Sequence, residues 1–525
     1  MANEKTYELS ILIKDKQAVL ELNEFNPGNG ANENFKEDVL QVEARFAEMF
    51  YKLINFIRFE NNMFKKEDYI FLGEVLGKII FSGEWAIRML EHIFRNLDKL
   101  ERLRIYLEFH PDSKMAMLPW EYVQVWPPGK FKALSEKSIY LSANENSRFH
   151  LIRRLSKDVD PPPASPMINV VLVICNGRNP DEDITALDQT QIERVFEDLQ
   201  KNNAATFNYK ILDNPADDGF VTSLITAIMD FPREGNTIPP FIIHYFGHSK
   251  VKDNHGYLVF KTKTLDATWI KDEDFAGYID RTFIQLKCNE GNANENELIV
   301  DVPSVVLFQS CQSGRVGDFA SGKGVAIAAC RKKIPAVIGM QNEIDPTSSS
   351  EFCRVFYESL LKGKDIAEAV TNGRFFLGCK YKIKTSSDVF GRNEFGSPVL
   401  FINTKEPFSL LPDEKKKEKS DEKNKLSINL CPNCSAENET DALYCKKCGK
   451  LLVLQKFHVP SAQEAADTNY GSDTQNLAFE SLAGSASTAK SEANKAGMHE
   501  QSSGKTDKPG SRQSSPRLKR ERDDS

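Results

Sequence analysis

The sequence predicts an α/β fold in which a mostly parallel sheet is flanked by helices. Two continuous apolar runs of strand length, residues 240–249 and 305–314, end abruptly in small and polar residues. Such runs are typical of strands that are buried on both faces, as the strands of a parallel sheet are. Beyond residue 161 these strands alternate with segments of helical spacing, which also favours a parallel sheet.

The amino-terminal part, residues 1–160, should combine strands with helices. Residues 7–13 and 18–25 mostly alternate apolar with polar side chains, which predicts a hairpin. Apolar spacing of three and four predicts a helix over residues 35–59, with Asn34 as its N-cap and Glu37 three positions on. Residues 69–97 predict a second helix or a broken pair. A strand at 103–109 and a short element at 118–125 follow.

Three prolines at residues 161–163 form a stiff connector to the predicted core, residues 161–405. This connector marks a domain boundary or a subdomain boundary. Within the core, the apolar patterns predict a hairpin around residues 258–260 and strands at 167–175, 207–212, 240–249, 305–314 and 336–340. Helices are predicted at 188–201, 219–229, 269–279, 325–331, 349–361 and 365–377.

Two strand ends carry the residues of a candidate active site. One strand delivers the imidazole of His248 and the other delivers the thiol of Cys311. In open α/β sheets, sites form just beyond the carboxyl ends of the strands, so these two side chains should share one rim. An imidazole beside a thiol can take its proton, which is the arrangement that a cysteine protease needs. Gly247 and Gly314 let the chain turn sharply at both places.

These residues resemble a known family. His-Tyr-Phe-Gly-His-Ser at residues 244–249 and Gln-Ser-Cys-Gln-Ser-Gly at 309–314 resemble the histidine and cysteine motifs of the CHAT domain, a caspase-like peptidase fold. Further segments agree with that family in order: Leu-Pro-Trp-Glu at 118–121, the strand at 334–340, the helices within 356–374 and a closing strand at 395–400. The resemblance covers residues 5–403, and several motifs in the family's order are more specific than any one of them.

The resemblance implies a regulated cysteine endopeptidase that cuts one or a few protein partners, often in a defence or cell-death pathway. By analogy with the caspase-like fold, the backbone N–H groups of Ser249 and Cys311 would hold the oxyanion. Ser249 stands where the family often has Gly. Gln309 stands where related enzymes that cut after basic residues often carry Asp. A basic specificity therefore does not carry over from that position. Asp181 and Asp183, in the loop after the first core strand, are either pocket acids for a basic side chain or solvated loop acids.

Several of these residues also have a purely structural interpretation. His244 is expected to orient its neighbours or to pack in the interior rather than to take part in the chemistry. The Pro119–Trp120–Glu121 element is either a family element near the active-site rim or a core tryptophan at a turn. The remaining cysteines of the core are expected to be core or surface thiols: Cys175, Cys288, Cys330, Cys353 and Cys379.

A charged linker at residues 406–428 leads to a cysteine-rich segment, residues 429–453. Two Cys-x-x-Cys pairs, Cys431 with Cys434 and Cys445 with Cys448, predict a structural zinc site. Four thiolates leave no open position for catalysis, and the metal would supply the folding energy of so short a segment. The segment resembles a zinc ribbon that recruits an activating protein partner or acts as a sensor, whereas disulfide pairing is the alternative.

Residues 454–525 are poor in large apolar side chains and are expected to be disordered. Residues 517–522 are basic, as in a targeting or nucleic-acid signal, but acidic residues follow at once. The net charge of -7 argues against a nucleic-acid regulator. The polar start and the absence of a long apolar run predict a cytoplasmic protein with no membrane span. Besides the peptidase, a catalytically silent scaffold that binds protein partners remains an alternative function.

Overall fold

The fold is described from a computed structural model of the chain. The structure describes residues 5–13, 17–25, 32–38, 66–81, 84–95, 100–110, 113–125, 139–143, 148–232, 239–262, 266–288, 303–317, 323–383, 394–412, 429–431, 433–434, 436–438 and 445–448. Residues 413–428 of the predicted linker lie outside these ranges. The whole predicted tail, residues 454–525, lies outside them too.

An 11-stranded sheet forms the centre of the described residues, in the order β3-β2-β1-β4-β7-β16-β15-β14-β10-β8-β9. Three neighbouring pairs are antiparallel, namely β1 with β2, β2 with β3 and β15 with β16, and the other pairs are parallel. The predicted α/β class with a mostly parallel sheet is therefore confirmed. The strands are β1 Lys5–Ile13, β2 Gln17–Phe25, β3 Asn32–Asp38, β4 Leu100–Phe109, β7 Phe149–Val159, β8 Ile168–Cys175, β9 Phe207–Asp213, β10 Phe241–Gly247, β14 Val305–Gln309, β15 Ala336–Met340 and β16 Pro398–Thr404.

Helices cover both faces of the sheet. Successive residues of β10 point to opposite faces. His244 packs on Phe196 of α3 (Thr190–Asn202) and Tyr357 of α7 (Pro346–Leu361), whereas Tyr245 packs on Phe275 of α5 (Asp272–Cys288). All residues of β8, β10, β14, β15 and β16 are buried, as their continuous apolar runs predict. The helices are α1 Lys66–Phe81, α2 Glu84–Arg95, α3 Thr190–Asn202, α4 Phe220–Met229, α5 Asp272–Cys288, α6 Val325–Cys330, α7 Pro346–Leu361 and α8 Ile366–Ile383.

Smaller strands complete the fold. A second sheet of three antiparallel strands follows β10 directly, and it consists of β11 Ser249–Lys252, β12 His255–Lys261 and β13 Ala267–Lys271. Two short pairs are formed by β5 Gln124–Val125 with β6 Ile139–Tyr140, and by β17 Asn429–Leu430 with β18 Glu437–Asn438. Among the described helices, none combines the length and the apolar character that a membrane crossing requires.

The structure corrects two helix predictions. Residues 32–38 form β3, which pairs with β2, so the helix predicted over 35–59 with Asn34 as N-cap is wrong at its start, and residues 39–59 lie outside the described part. The helix predicted over 269–279 begins later, because Trp269 belongs to β13 and pairs with Val259 of β12. In both cases pairing with a neighbouring strand overrides the local helical spacing.

The predictions for other segments agree with the structure in type. Residues 69–97 contain the broken pair of helices, α1 and α2, and the predicted strand at 336–340 has the bounds of β15. Strands from both sides of the three prolines at 161–163 belong to the same large sheet. The connector therefore joins two stretches that share one layer of strands, and the division into residues 1–160 and 161–405 stays a prediction.

Candidate active site

The two predicted site residues follow neighbouring parallel strands. β10 pairs with β14, and Phe246 lies opposite Gln309, so His248 and Cys311 both follow at the carboxyl-end edge of the sheet. Both side chains are half-buried and line one cavity of about 290 Å³. The walls of this cavity are Leu187, Phe246, Gly247, Gln309, Ser310, Glu343, Ile344, Asp345, Pro346 and Ser349.

A backbone carbonyl orients the imidazole of His248. The Nε2 atom lies 2.6 Å from the carbonyl oxygen of Thr185. A carbonyl oxygen only accepts hydrogen bonds, so Nε2 donates this bond, and in the neutral form of the ring Nδ1 would carry the lone pair. This is the pattern of a general base whose far nitrogen is held by a third group. Thr185 contributes only a backbone carbonyl, which every residue type has, so the sequence carries no signal for it.

Cys311 lies in a tight turn between β14 and the rest of the core. Its Sγ is 4.0 Å from the carbonyl oxygen of Ile344, which also lines the cavity. Gln312, which follows, has φ of 60° in the left-handed region that non-glycine residues seldom adopt. A Cβ on Gly314 would lie 2.7 Å from the backbone of Gly339, so the turn packs backbone against backbone on β15. Gly314 is therefore required here for close approach.

Ser249 connects the two strand ends. Its hydroxyl donates a hydrogen bond to the carbonyl oxygen of Cys311. The carbonyl of His248 accepts from Val259 N at 3.1 Å, which directs the backbone groups of His248 toward β12. In an antiparallel pair successive residues alternate in direction, so the N–H of Ser249 points away from β12. The serine that stands in place of the family's usual glycine thus bridges the histidine and cysteine segments.

A buried hydrogen-bonded chain includes two residues of the cavity lining, Gln309 and Ser349. His244 is fully buried, and its two ring nitrogens lie 3.0 Å from the Tyr357 hydroxyl and 3.1 Å from Gln309 Oε1. Gln309 Nε2 donates to the hydroxyls of Ser349 and Ser350 at 2.9 and 3.1 Å. Burial lowers the pKa of His244 to about 3, and the Gln309 hydrogen bond opposes this shift only in part. His244 is therefore neutral, and it holds Gln309 rather than reaching into the cavity.

The acids of the cavity wall differ from those that the sequence suggested. Glu343 and Asp345 line the cavity, whereas Asp181 and Asp183 are not among its lining residues. Asp345 also caps α7, because its side chain accepts from Thr347 N at 2.9 Å. The signal for both acids was available, since they follow the carboxyl end of β15, which is another parallel strand of the core.

The other described core cysteines have no access to this chemistry. Cys175, Cys330 and Cys353 are buried, and burial raises the pKa of each thiol. A buried neutral thiol is a poor nucleophile, because the thiolate is the reactive form. Among these four described core thiols, Cys311 alone is half-buried at a cavity. The side chains of Cys288 and Cys379 lie outside the described residues.

The four cysteines of the carboxy-terminal segment come together. Their sulfur atoms all lie within 4.8 Å of one another, and Cys431–Cys448 and Cys434–Cys445 are each separated by 3.5 Å. Tetrahedral zinc with Zn–S bonds of about 2.3 Å places its sulfurs about 3.8 Å apart, which fits this spacing. Backbone N–H groups of Asn433 and Lys447 point at Cys431 and Cys445 sulfur at 3.4 Å. The cluster could therefore hold a metal ion as thiolates.

The chain is similar to one known domain family and, at low identity, to several solved structures. The family model described as the CHAT domain matches residues 85–375. Gingipain R, described as an Arg-specific cysteine proteinase, is 14% identical with a TM-score of 0.32, over 63% of this chain and 68% of that chain. The Saccharomyces cerevisiae separase–securin complex is 9% identical with a TM-score of 0.40, over 76% of this chain and 30% of that chain. The pro- and mature domains of Porphyromonas gingivalis RgpB are 13% identical with a TM-score of 0.33, over 70% and 78%. No curated protein matches the chain.

Proposed function

Because the matched segment spans more than half of the sequence, the chain belongs to the CHAT domain family of caspase-like cysteine peptidases, and we propose that it is a cysteine endopeptidase acting through Cys311 and His248. One observation carries this proposal. The half-buried thiol and an imidazole with an oriented ring line the same cavity at the carboxyl-end edge of the sheet. The substrate would be a protein partner, and cleavage would be regulated.

In the proposed reaction, Nδ1 of His248 takes the thiol proton, and Cys311 Sγ attacks the carbonyl carbon of the scissile bond. When the tetrahedral intermediate collapses, the C–N bond breaks and the imidazolium gives its proton to the leaving amine. Water then attacks the thioester with the imidazole as base, which releases the acid and returns the proton to the sulfur. The Nε2 contact with Thr185 supports Nδ1 as the working nitrogen.

We assign the oxyanion donors to the backbone N–H groups of Ser249 and Cys311. The Ser249 hydroxyl contact with Cys311 supports this assignment, because it keeps the two segments adjacent. The ladder geometry adds support, since the Ser249 N–H is directed away from β12. Such fixed donors stabilise the charge that develops on the carbonyl oxygen without reorganising during the reaction.

Electrophilic peptide probes test the dyad. Full-length protein, Cys311→Ala and His248→Ala are each labelled with a library that varies the residue before the scissile bond, and the labelled sulfur is located by mass spectrometry. We expect labelling of the unaltered protein to map to Cys311 and to fall at least about a hundredfold in His248→Ala, because general-base help contributes about 10²–10⁴. The buried-thiol variant Cys330→Ala is the matched control and should label like the parent.

Labelling that spreads over several cysteines and is indifferent to His248 would refute the dyad. The scaffold function would then account for the domain, because a silent CHAT fold binds partners without a reactive thiol. Labelling at Cys311 that survives loss of His248 would refute the role of the base while leaving the nucleophile in place. The same library reports the residue preference of the cavity in the supporting case.

We also propose that Cys431, Cys434, Cys445 and Cys448 bind structural Zn²⁺ and that the ribbon recruits an activating protein partner. The donor set and the sulfur spacing support zinc, because four thiolates close a tetrahedral site. Purified protein should contain about one zinc per chain by elemental analysis. The double variant Cys431→Ser with Cys445→Ser should contain none and should keep the probe labelling of Cys311. Full zinc content in the double variant would refute this site.

A further inference from the structure

A buried ion pair lies behind one wall of the active-site cavity. Glu121, in a short 3-10 turn after Pro119, and Arg153 of β7 are each about 1% exposed at their side chains. Arg153 Nε donates to Glu121 Oε1 at 3.0 Å, and Nη2 donates to Oε2 at 2.6 Å. The guanidinium also donates to the carbonyls of Ala116 and Leu118, both at 3.0 Å. A buried bidentate pair with further hydrogen bonds to backbone carbonyls fixes both side chains in one geometry.

Gln341 extends this pair toward the cavity. It is buried directly after β15, and its Nε2 donates to Glu121 Oε2 at 2.7 Å and to the carbonyl of Gly396. Its Oε1 accepts from Arg153 Nη2 at 3.3 Å. The NH₂ group of the amide therefore donates to the carboxylate, and its oxygen accepts from the guanidinium. Only one of the two orientations of the amide permits both contacts.

The residues after Gln341 form the cavity wall. Asn342 Nδ2 donates to the Tyr122 hydroxyl at 3.2 Å, and its carbonyl accepts from Gln312 N, the residue after the nucleophile, at 3.4 Å. Glu343, Ile344 and Asp345 then line the same cavity as Cys311, and Cys311 Sγ lies 4.0 Å from the carbonyl oxygen of Ile344. The side-chain contacts of Gln341 thus lie immediately before the segment that shapes the cavity and touches the cysteine turn.

We infer that Gln341 is a positioning residue that ties the Glu121–Arg153 ion pair of the amino-terminal part to the cavity wall at residues 342–345. The inference rests on the proposed peptidase function, because it names what holds the substrate-facing wall of that site. The wall has to face a bound substrate across Cys311, and a misplacement of about 1 Å can cost about a hundredfold in rate. The Pro-Trp-Glu element would therefore act at a distance, through one buried amide.

Two substitutions beside opposite ends of β15 form a matched pair for the test, one at Gln341 directly after β15 and one at Asn403 of β16, whose backbone N–H donates to the carbonyl of Pro335 just before β15. Gln341→Met keeps the length of the side chain and leaves the Glu121–Arg153 pair intact, but it removes three hydrogen bonds. Asn403→Leu removes a buried amide that donates to the carbonyls of Cys330 and Ile334, both at 2.8 Å, beside the other end of β15. Both variants lose buried hydrogen bonds, and only Gln341 adjoins the cavity wall.

Hydrogen–deuterium exchange and Cys311 labelling are measured on the full chain for both variants. We expect faster exchange over residues 341–346 in Gln341→Met alone, with labelling by the best peptide probe about tenfold slower. Labelling by iodoacetamide, which needs no cavity wall, should change less than about threefold. Asn403→Leu should match the parent in exchange over that segment and in both labelling rates.

The outcomes separate this inference from the proposed function. Unchanged exchange over residues 341–346 in Gln341→Met would overturn the positioning role, whatever the labelling shows. Equal slowing of both probes, or equal slowing in Asn403→Leu, would also overturn it, because the effect would then be general destabilisation. Labelling that is independent of His248 would refute the peptidase instead, and the exchange result would still decide whether Gln341 holds the wall.

Discussion

The buried imidazole of His244 should make the stability of the core depend on pH. The ring accepts from Tyr357 and donates to Gln309, so the folded protein holds it neutral. Burial lowers its pKa to about 3, whereas an unfolded histidine titrates near about 6.5. Because the pKa of His244 is lower in the folded state, the unfolded chain binds a proton at a higher pH than the folded protein does. Stability is therefore full above the unfolded pKa and falls as the pH drops.

The size of the effect follows from these two pKa values. Between about pH 8 and about pH 5 the unfolded chain binds nearly one proton at His244, whereas the folded ring stays unprotonated. This difference lowers the free energy of unfolding by about 2 kcal/mol. The loss continues down to the folded pKa of about 3. The pKa of buried His150 is lowered by burial too, so His150 adds to the total in the same direction. The contribution of His244 is therefore the difference between the parent and a variant.

His244→Phe isolates this contribution, because phenylalanine keeps the ring packing on Phe196 and Tyr357 but cannot titrate. Urea unfolding of both proteins is followed by circular dichroism at several pH values. The parent's advantage in unfolding free energy over the variant should shrink by about 2 kcal/mol from about pH 8 to about pH 5. A pH-independent difference between the two proteins would refute the neutral buried imidazole.

Three further predictions concern the cysteine turn, the buried pair and the ribbon. Gly314→Ala should slow probe labelling of Cys311 by about tenfold or more, because the added Cβ would lie 2.7 Å from the backbone of Gly339. Gly219→Ala is the control and should leave the labelling rate unchanged, because the atom nearest to its added Cβ is 3.8 Å away. Glu121→Gln should lower the unfolding free energy by about 3–5 kcal/mol in urea melts, since it leaves buried Arg153 without its carboxylate; a loss below about 1 kcal/mol would contradict the pair. Zinc release to a chromophoric chelator should increase as the pH falls, because protons compete for the four thiolates, and pH-independent release would argue against thiolate ligation.

Local sequence patterns were sufficient to predict the strands that are buried on both faces of the sheet. β8, β10, β14 and β15 are buried on both faces, so their side chains form unbroken apolar runs that periodicity detects. The same patterns failed at β3 and at Trp269, where pairing with a strand elsewhere in the chain decided the conformation. Helical spacing in a short segment cannot outweigh an available sheet edge.

The residues of the candidate site also differ in whether a local sequence pattern predicts them. His248 and Cys311 were predictable because each follows a strand of the core and carries a reactive group of recognisable type. Thr185 and Ile344 contact these residues through backbone carbonyls, which any residue type provides, so no sequence signal marks them. Gln309 was noticed as a departure from related enzymes, but its partners His244 and Ser349 became visible only when the strands and α7 were assembled.

The sequence by itself determined the class of the fold, the placement of His248 and Cys311 at one edge of the sheet, and the spacing of the four carboxy-terminal thiols, because strand burial, reactive groups and metal-ligand spacing are properties of short segments. Only the tertiary structure decided which nitrogen of His248 contacts the carbonyl of Thr185, which acids line the cavity and which distant residues Glu121 contacts. Those features join residues as far apart as Glu121 and Gln341. Contacts at that separation depend on how the whole sheet is ordered, which no local pattern records.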